Sequence, residues 1–206
     1  MVGRTVTVEP IVDDRRFGEL YAAYAADGDE MWRWMAYGPF ESETAFRDFA
    51  ARTYLAGDQL FHAVIPHETG LAAGVASLMR IDRANGVVEI GNIALSATLR
   101  GTLASTEMQA LLMSRVFDEL GYRRYEWKCN DRNAPSKRTA ARLGFVYEGL
   151  FRQHMIVKGE NRDTAWFAVL DHEWPALKAA FEAWLAPSNF DAQGRQKQTL
   201  ENLRGS

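Results

Sequence analysis

Apolar and polar residues alternate along several short segments of the chain, and a period of two residues is typical of half-buried β-strands. The alternation predicts strands over residues 5–11, 60–65, 71–81, 86–95, 123–129, 145–157 and 164–170. Three of them, between residues 60 and 95, are separated only by short turns, and the second turn ends in the hairpin signal Asn85-Gly86. The sequence therefore predicts an antiparallel meander in this part of the chain.

Other segments place apolar residues three and four positions apart, which is the period of an amphipathic helix. They predict helices over residues 17–26, from Ser42 onward, and over residues 103–120, 135–143 and 173–185. The predicted buried face of the third helix consists of Leu103, Met108, Leu111, Leu112, Val116 and Leu120. This helix connects two predicted strands, so a crossover through it would make those strands parallel neighbours in a βαβ unit.

The order of these elements favours the α+β class. We expect a mixed central sheet of six to seven strands, built from the antiparallel meander and one central βαβ unit and flanked by helices. The chain has 206 residues, enough for one domain with a full core. We expect that domain over residues 1–175, followed by a C-terminal helix and polar tail over residues 176–206 that is loose after Pro187.

Composition and charge exclude several classes of function. The net charge is -3, which argues against nucleic acid as the main partner. No apolar run is long enough to span a membrane, and the single cysteine allows no intrachain disulfide, so we expect a cytoplasmic protein without a membrane partner. One cysteine and four scattered histidines show no metal-ligand spacing, so no metal is expected. A hydrolase Gly-x-Ser-x-Gly elbow and a Walker lysine motif are also missing from the sequence.

The most informative stretch of the sequence runs from Val88 to Leu112. It predicts an apolar strand, a short turn and a helix in succession. Backbone N–H groups of such a turn and helix start point to one place, which suits a phosphate group. Arg100 lies in the turn and can add charge-assisted hydrogen bonds. A plain strand-to-helix turn with a surface arginine is the alternative interpretation of this segment.

Two segments, LRGTLASTEMQALLM and NDRNAPSKRTAARLGFVYEGLFR, carry a resemblance to a known family. Over residues 5–174 the chain resembles the GCN5-related N-acetyltransferases (GNAT), in the branch similar to the RimJ and RimL ribosomal-protein acetyltransferases. The resemblance implies acetyl-CoA (coenzyme A) as the acetyl donor. It implies a primary amine as acceptor, either on a small molecule or at a peptide N-terminus, and it favours a homodimer.

The resemblance also implies which residues hold the cofactor. The family's pyrophosphate loop reads Arg/Gln-x-x-Gly-x-Gly/Ala, and the corresponding residues here are Arg100, Gly101, Thr102, Leu103, Ala104, Ser105 and Thr106. Leu103 stands in the place of the central glycine, so its side chain has to turn into the core for a diphosphate to approach the backbone. Backbone groups of Ile93, Ala94 and Leu95 are expected to pair with pantetheine, and one of their N–H groups to polarise the acetyl carbonyl. The Asn133 side chain is expected to bond a pantetheine amide.

Two residues are candidates for proton transfer. Ala140 stands where many family members have a tyrosine acid, so the Ser136 hydroxyl is the implied stabiliser of the departing thiolate. Glu89 is our candidate base, acting through a water, because strand alternation places it on the face of Gly91 and Ile93. Glu89 can equally be an exposed strand residue or the ion-pair partner of an arginine. His154 is an alternative base.

An aromatic stretch precedes the second predicted helix and contains Trp32, Trp34 and Tyr37. These residues can pack a loop onto the sheet, or they can form an acceptor pocket with apolar and cation–π walls. The sequence does not decide between the two.

The sequence thus predicts an acetyl-CoA-dependent N-acetyltransferase in which the amine attacks the thioester directly. Cys129 lies in a strand and is expected to be a packed thiol rather than a nucleophile. The alternative is a catalytically weak acyl-CoA-binding regulatory or interaction module of the same fold, motivated by Leu103 and Ala140. A longer acyl-CoA as donor is also open.

Overall fold

The computed structural model describes residues 1–205, and within them it contains seven strands and six α-helices. The strands are β1 (Val6–Pro10), β2 (Leu60–Pro66), β3 (Gly74–Asp82), β4 (Val87–Leu95), β5 (Arg124–Asn130), β6 (Val146–Val157) and β7 (Glu160–Leu170). The helices are α1 (Phe17–Ala25), α2 (Glu43–Ala50), α3 (Leu103–Ser114), α4 (Ala134–Arg142), α5 (Trp174–Leu185) and α6 (Leu200–Arg204). This confirms the predicted α+β class.

The chain divides into two compact units. Unit 1 comprises residues 1–81 and 89–111, and unit 2 comprises residues 82–88 together with the chain from Leu112 onward. In unit 1 the strand order is β1-β2-β3-β4, and β2 pairs antiparallel with both β1 and β3. In unit 2 the order is β5-β7-β6, and β7 pairs antiparallel with both neighbours.

An aromatic core holds unit 1 together. Helix α1 buries Phe17, Leu20 and Tyr24, whose spacing of three and four residues places them on one helix face. The rings of Phe17 and Tyr24 meet that of Phe46 on α2, with centroids 6.3 and 5.7 Å away. Helix α2 starts where predicted, because the Ser42 side chain accepts a hydrogen bond from the N–H of Ala45.

Two strand boundaries differ from the sequence prediction, each for a local reason. Strand β3 begins at Gly74 rather than at residue 71, because Gly70 takes up a left-handed turn conformation and Leu71 is exposed. Strand β7 begins earlier than predicted, at Glu160, because Lys158 and Gly159 alone form the preceding tight turn, both with positive φ. The first four residues of β7 are polar, so the sequence pattern assigned them to the turn instead of the strand.

Helix α3 and the C-terminal tail also differ from expectation. Helix α3 passes into a wider π-type turn over Arg115–Glu119, which changes the direction of later side chains. Leu120, predicted to be buried, is therefore 49% exposed. After Pro187 the chain is folded rather than loose: Leu200 of α6 is fully buried, and the Trp184 indole donates to Gln196.

Candidate active site

Strand β4 contains a left-handed residue directly before the candidate pantetheine-binding segment. Asn92 has a φ of 47°, and its side-chain amide donates to Gln59 Oε1 at 2.6 Å and to Ser77 Oγ at 3.2 Å. These bonds stabilise a conformation that costs a non-glycine residue energy. A left-handed residue breaks strict alternation along a strand, so counting residues from Glu89 does not place Ile93 on the same face.

Hydrogen bonds from helix α1 and to the segment before β3 fix the backbone around Ala94. The Ala94 carbonyl accepts a hydrogen bond from the Tyr24 hydroxyl at 3.1 Å, and the N–H of Ser96 donates to the carbonyl of Ala73 at 3.0 Å. A Cβ on Gly74 would lie 2.8 Å from the Ala94 oxygen. The glycine at position 74 therefore permits this close approach.

The turn after β4 presents unbonded backbone donors. Gly101 has a φ of 72°, and no atom lies within 4 Å of the position that a Cβ would take. Thr102 caps α3, because its Oγ1 accepts from the N–H of Ser105 at 3.2 Å. Within residues 1–205, the N–H groups of Gly101, Leu103 and Ala104 have no acceptor. The turn thus has the donors and the open space that an anionic group needs.

From the sequence we expected the Leu103 side chain to turn into the core. In the structure this side chain is only half-buried. Ala104 and Thr106 on the same helix turn are buried, and Ser105 donates back to the carbonyl of Thr102 at 2.8 Å. The first turn of α3 is therefore tightly bonded around Thr102.

Arg100 already has an anionic partner in unit 1. Its Nη2 donates to Asp27 Oδ1 at 2.8 Å, and its Nη1 lies 2.8 Å from Asp27 Oδ2. Nη1 is also 3.5 Å from the carbonyl oxygen of Leu95. The Asp27 side chain is 5% exposed, whereas that of Arg100 is 50% exposed. One edge of the guanidinium is thus anchored and the rest faces solvent.

Glu89, the candidate base, is a buried member of an ion pair. Its Oε2 lies 2.7 Å from Nη1 of Arg80, and its side chain is 4% exposed. Arg80 has a left-handed φ of 48°. Of the interpretations that the sequence left open, the ion pair is the one that this geometry favours, and the exposed strand residue is excluded.

The three candidate acceptor residues differ in burial. Trp32 is 3% exposed and its ring meets those of Tyr24 and Phe40, with centroids 5.1 and 5.2 Å away. This burial favours packing for Trp32. Trp34 and Tyr37 are half-buried, and the Arg33 guanidinium lies 4.9 Å from the Trp34 ring.

Unit 2 carries the other two predicted site residues, both at the start of α4. Asn133 is the N-cap of this helix, and its Oδ1 accepts from the N–H of Ser136 at 3.1 Å. The Ser136 hydroxyl in turn accepts a hydrogen bond from the Trp127 indole at 3.0 Å. Ser136 is therefore held by two bonds, one at its backbone and one at its side chain.

Cys129 is buried on β5, as expected for a packed thiol. Burial raises the pKa of this thiol, and the neighbouring Ser136 hydroxyl offsets only part of the effect. A thiol with a raised pKa is a poor nucleophile near neutral pH.

His154, the alternative base, contacts Thr164 Oγ1 through Nδ1 at 2.9 Å. Ala140, which stands where many family members have a tyrosine, is fully buried.

The part of the chain that the structure describes contains neither a metal-binding cluster nor a membrane-spanning helix. Within residues 1–205, no three His, Cys, Asp or Glu side chains are grouped closely enough to hold a metal ion. Over the same residues, no helix combines the length and the apolar character that crossing a membrane requires.

A comparison with models of protein families shows to which family the chain belongs. The model of the acetyltransferase (GNAT) domain matches residues 6–146 of the chain. The chain belongs to the GNAT acetyltransferase family. The family predicted from the two sequence segments is thereby confirmed.

Individual relatives agree with this assignment. A GCN5-related N-acetyltransferase from Brucella melitensis is 50% identical in sequence, covers 100% of this chain and 93% of its own, and superimposes with a TM-score of 0.97. YdaF of Bacillus subtilis, provisionally assigned as a ribosomal N-acetyltransferase, is 28% identical over 53% of this chain and 59% of its own. The immunity acetyltransferase MccE shares the fold, with a TM-score of 0.70 and 24% identity over 82% of this chain and 93% of its own, and was solved with acetyl-CoA and AMP.

In this GNAT acetyltransferase, sequence reasoning missed three residues that contact candidate site groups. They are Tyr24 on the Ala94 carbonyl, Asp27 on Arg100 and Trp127 on Ser136. Tyr24 and Asp27 are 70 and 73 residues from their partners. No local spacing connects residues so far apart, and only the folded chain reveals these contacts.

Proposed function

We propose that this GNAT acetyltransferase transfers an acetyl group from acetyl-CoA to a primary amine, by direct attack of the amine in a ternary complex. The observation that carries the proposal is the turn after β4, where free N–H groups and a half-exposed arginine meet at the start of α3. That arrangement suits the pyrophosphate of coenzyme A.

The residues of unit 1 fit the phosphate and pantetheine parts of this cofactor. The N–H groups of Gly101, Leu103 and Ala104 and the outer edge of Arg100 would hold the pyrophosphate, with Thr102, Ser105 and Thr106 shaping the helix start. Gly101 lets the backbone approach an oxygen closely. Ile93, Ala94 and Leu95 would supply backbone groups for pantetheine. For the Asn133 side chain, at the start of α4, we propose a hydrogen bond to a pantetheine amide.

The chemistry needs a neutral amine, a polarised carbonyl and a proton for the leaving thiolate. Acetyl-CoA supplies the activated acetyl thioester. The amine nitrogen forms a bond to the acetyl carbon while the carbon–sulfur bond breaks. A backbone N–H of β4 stabilises the negative charge on the carbonyl oxygen, and the Ser136 hydroxyl donates its proton to the sulfur. Trp127 holds Ser136 in place for that donation.

Glu89 is our proposed base for the proton that the amine loses, acting through a water molecule. Its ion pair with Arg80, at 2.7 Å, holds the carboxylate in one position on β4. We expect Glu89→Gln to lower turnover and His154→Gln to leave turnover nearly unchanged. The opposite result would favour His154 as the base.

The acceptor that we propose is a peptide N-terminus or another amine with an apolar neighbourhood, bound near Trp34 and Tyr37. Two observations support it: both aromatic side chains are half-buried, and YdaF is a relative with a provisional ribosomal assignment. A RimJ/RimL-like role and assembly as a homodimer belong to the same proposal.

The proposal is tested by calorimetry with acetyl-CoA, followed by free-thiol release across a panel of amines. We expect binding and amine-dependent thiol release, and we expect Cys129→Ala to keep most of the activity. Binding without turnover on any amine would favour the alternative of a regulatory acyl-CoA-binding module. Loss of all turnover in a folded Cys129→Ala protein would contradict direct attack.

A further inference from the structure

The C-terminal end of helix α1 contacts both parts of the candidate cofactor segment in unit 1. Tyr24 lies in the last turn of α1, and Asp27 follows directly after the helix. Tyr24 donates to the backbone of β4 at Ala94, and Asp27 pairs with Arg100 of the turn after β4. Neither residue belongs to the strand or the loop that it supports.

The Tyr24 contact sets the direction of one peptide group. In a trans peptide the C=O and the following N–H point in opposite directions. Because the Ala94 carbonyl is directed to the Tyr24 hydroxyl, the N–H of Leu95 is directed away from it. The bond from Ser96 to Ala73 on the β3 side agrees, since successive N–H groups of a strand alternate in direction. A carbonyl that accepts a hydrogen bond also makes the N–H of the same peptide a stronger donor.

The Tyr24 hydroxyl is well suited to a permanent bond of this kind. Tyr24 is buried, and burial, with a smaller effect of Tyr37, raises its pKa well above the ordinary value. The hydroxyl therefore stays protonated at neutral pH and keeps donating to the Ala94 carbonyl. Its ring is fixed independently by edge contacts with Trp32 and Phe46.

The Asp27 contact restricts what Arg100 can do. If the guanidinium swung away to a phosphate, it would leave a carboxylate that is 5% exposed without its cationic partner. Uncompensated buried charge is strongly unfavourable. Arg100 therefore keeps the Asp27 bond and offers only its outer donors, already oriented, to an incoming anion.

We propose that Tyr24 and Asp27 are positioning residues for the cofactor: Tyr24 orients the Leu95 N–H toward the acyl-pantetheine part, and Asp27 orients Arg100 toward the pyrophosphate. This inference rests on the proposed function and adds two residues to it. The two residues act on different parts of one ligand, so their effects separate when the ligand is shortened.

The test compares two donors, acetyl-CoA and S-acetylpantetheine, which lacks the pyrophosphate. With acetyl-CoA we expect Asp27→Asn to raise KM about tenfold at nearly constant kcat. We expect Tyr24→Phe to lower kcat about tenfold with a smaller change in KM. With S-acetylpantetheine the Asp27→Asn effect should disappear and the Tyr24→Phe effect should remain.

Matched controls come from the same part of the chain. Tyr21→Phe removes a hydroxyl from the same helix, and Asp29→Asn removes an exposed carboxylate two residues after Asp27. Both should behave like the wild type. If Asp27→Asn does not fold, Asp27→Glu, which keeps the negative charge but displaces the carboxylate from Arg100, should show the same donor-dependent KM effect.

The outcomes distinguish this inference from the proposed function. A wild type that neither binds nor uses acetyl-CoA overturns both. A wild type that transfers acetyl groups, with Tyr24→Phe and Asp27→Asn equal to their controls, overturns only the positioning inference. Tighter binding of coenzyme A by Asp27→Asn would also overturn it, because Asp27 would then be a competitor of the phosphate.

Discussion

At the scale of single residues, Ser136 depends on a neighbour that its own sequence motif does not contain. The Trp127 indole donates to the Ser136 hydroxyl oxygen at 3.0 Å, and the Trp127 ring packs edge-on against Phe145 at 5.5 Å. An oxygen that accepts one hydrogen bond gives its own proton more readily to a third group. Trp127 therefore both fixes the hydroxyl and strengthens it as a donor.

Replacing Trp127 by phenylalanine isolates this effect, because the ring contact is retained and only the N–H is lost. We expect kcat to fall about three- to tenfold, the equivalent of about 1 kcal/mol, with little change in the KM for acetyl-CoA. The measurement is steady-state thiol release. Trp174→Phe is the control, since it removes an indole bond to Asp118 instead.

A combination with Ser136→Ala sharpens the result. If the indole acts through the hydroxyl, the double variant should be no slower than Ser136→Ala alone. Fully additive losses, or an unchanged kcat in Trp127→Phe, would contradict the role that we assign to Trp127.

At the scale of elements, helix α3 is joined to the start of the chain through one carboxylate. Glu107 accepts from the N–H groups of Arg4 and Thr5, each at 2.7 Å, and from the Thr5 hydroxyl. Burial by itself would raise the pKa of Glu107, but these bonds outweigh burial and hold it below the ordinary value of 4.5. Because the helix begins with the proposed phosphate-binding turn, this contact also anchors that turn.

The lowered pKa has a consequence for stability at acid pH. A carboxyl group with a lower pKa in the folded state stabilises the protein above about pH 4.5, and this contribution is lost as the pH falls through the folded-state pKa. We expect Glu107→Gln to lower the free energy of unfolding at neutral pH by about 1–3 kcal/mol. The difference from the wild type should shrink in acid, as measured by urea unfolding between about pH 7 and about pH 3.

The exposed α2 variant Asp48→Asn serves as control and should follow the wild-type pH dependence. Parallel pH curves for the wild type and Glu107→Gln would show that the Glu107 bonds carry no acid-sensitive stability.

The same elements show what the sequence could and could not predict. Alternation placed β4 within a residue of its observed bounds, since the strand is apolar and follows the Asn85-Gly86 turn signal. It could not reveal the left-handed Asn92, because the stabilising partners Gln59 and Ser77 lie on other segments. The start of α2 at Ser42 could be predicted because the capping bond, from the Ala45 N–H to Ser42 Oγ, joins residues only three positions apart. For Glu89 the sequence left an ion pair with an arginine as one alternative, and only the folded chain identifies that arginine as Arg80.

At the scale of the whole molecule, the family and the chemistry rest on different kinds of observation. The family is established by the domain match over residues 6–146 and by the 50% identical Brucella melitensis structure. Neither the domain match nor the similar structure identifies the acceptor amine. The chain has a net charge of -3, so an electrostatic attraction to cationic acceptors, such as basic peptides, is a favourable long-range contribution.

The most direct measurement of the central claim is free-thiol release from acetyl-CoA with short peptides that have a free α-amino group. Each peptide is paired with the same peptide already acetylated at its N-terminus. We predict thiol release that depends on the free amine and a product heavier by one acetyl group, both reduced strongly in Ser136→Ala. Equal thiol release with free and blocked peptides, or none with any primary amine despite bound acetyl-CoA, would contradict N-acetyl transfer by this protein.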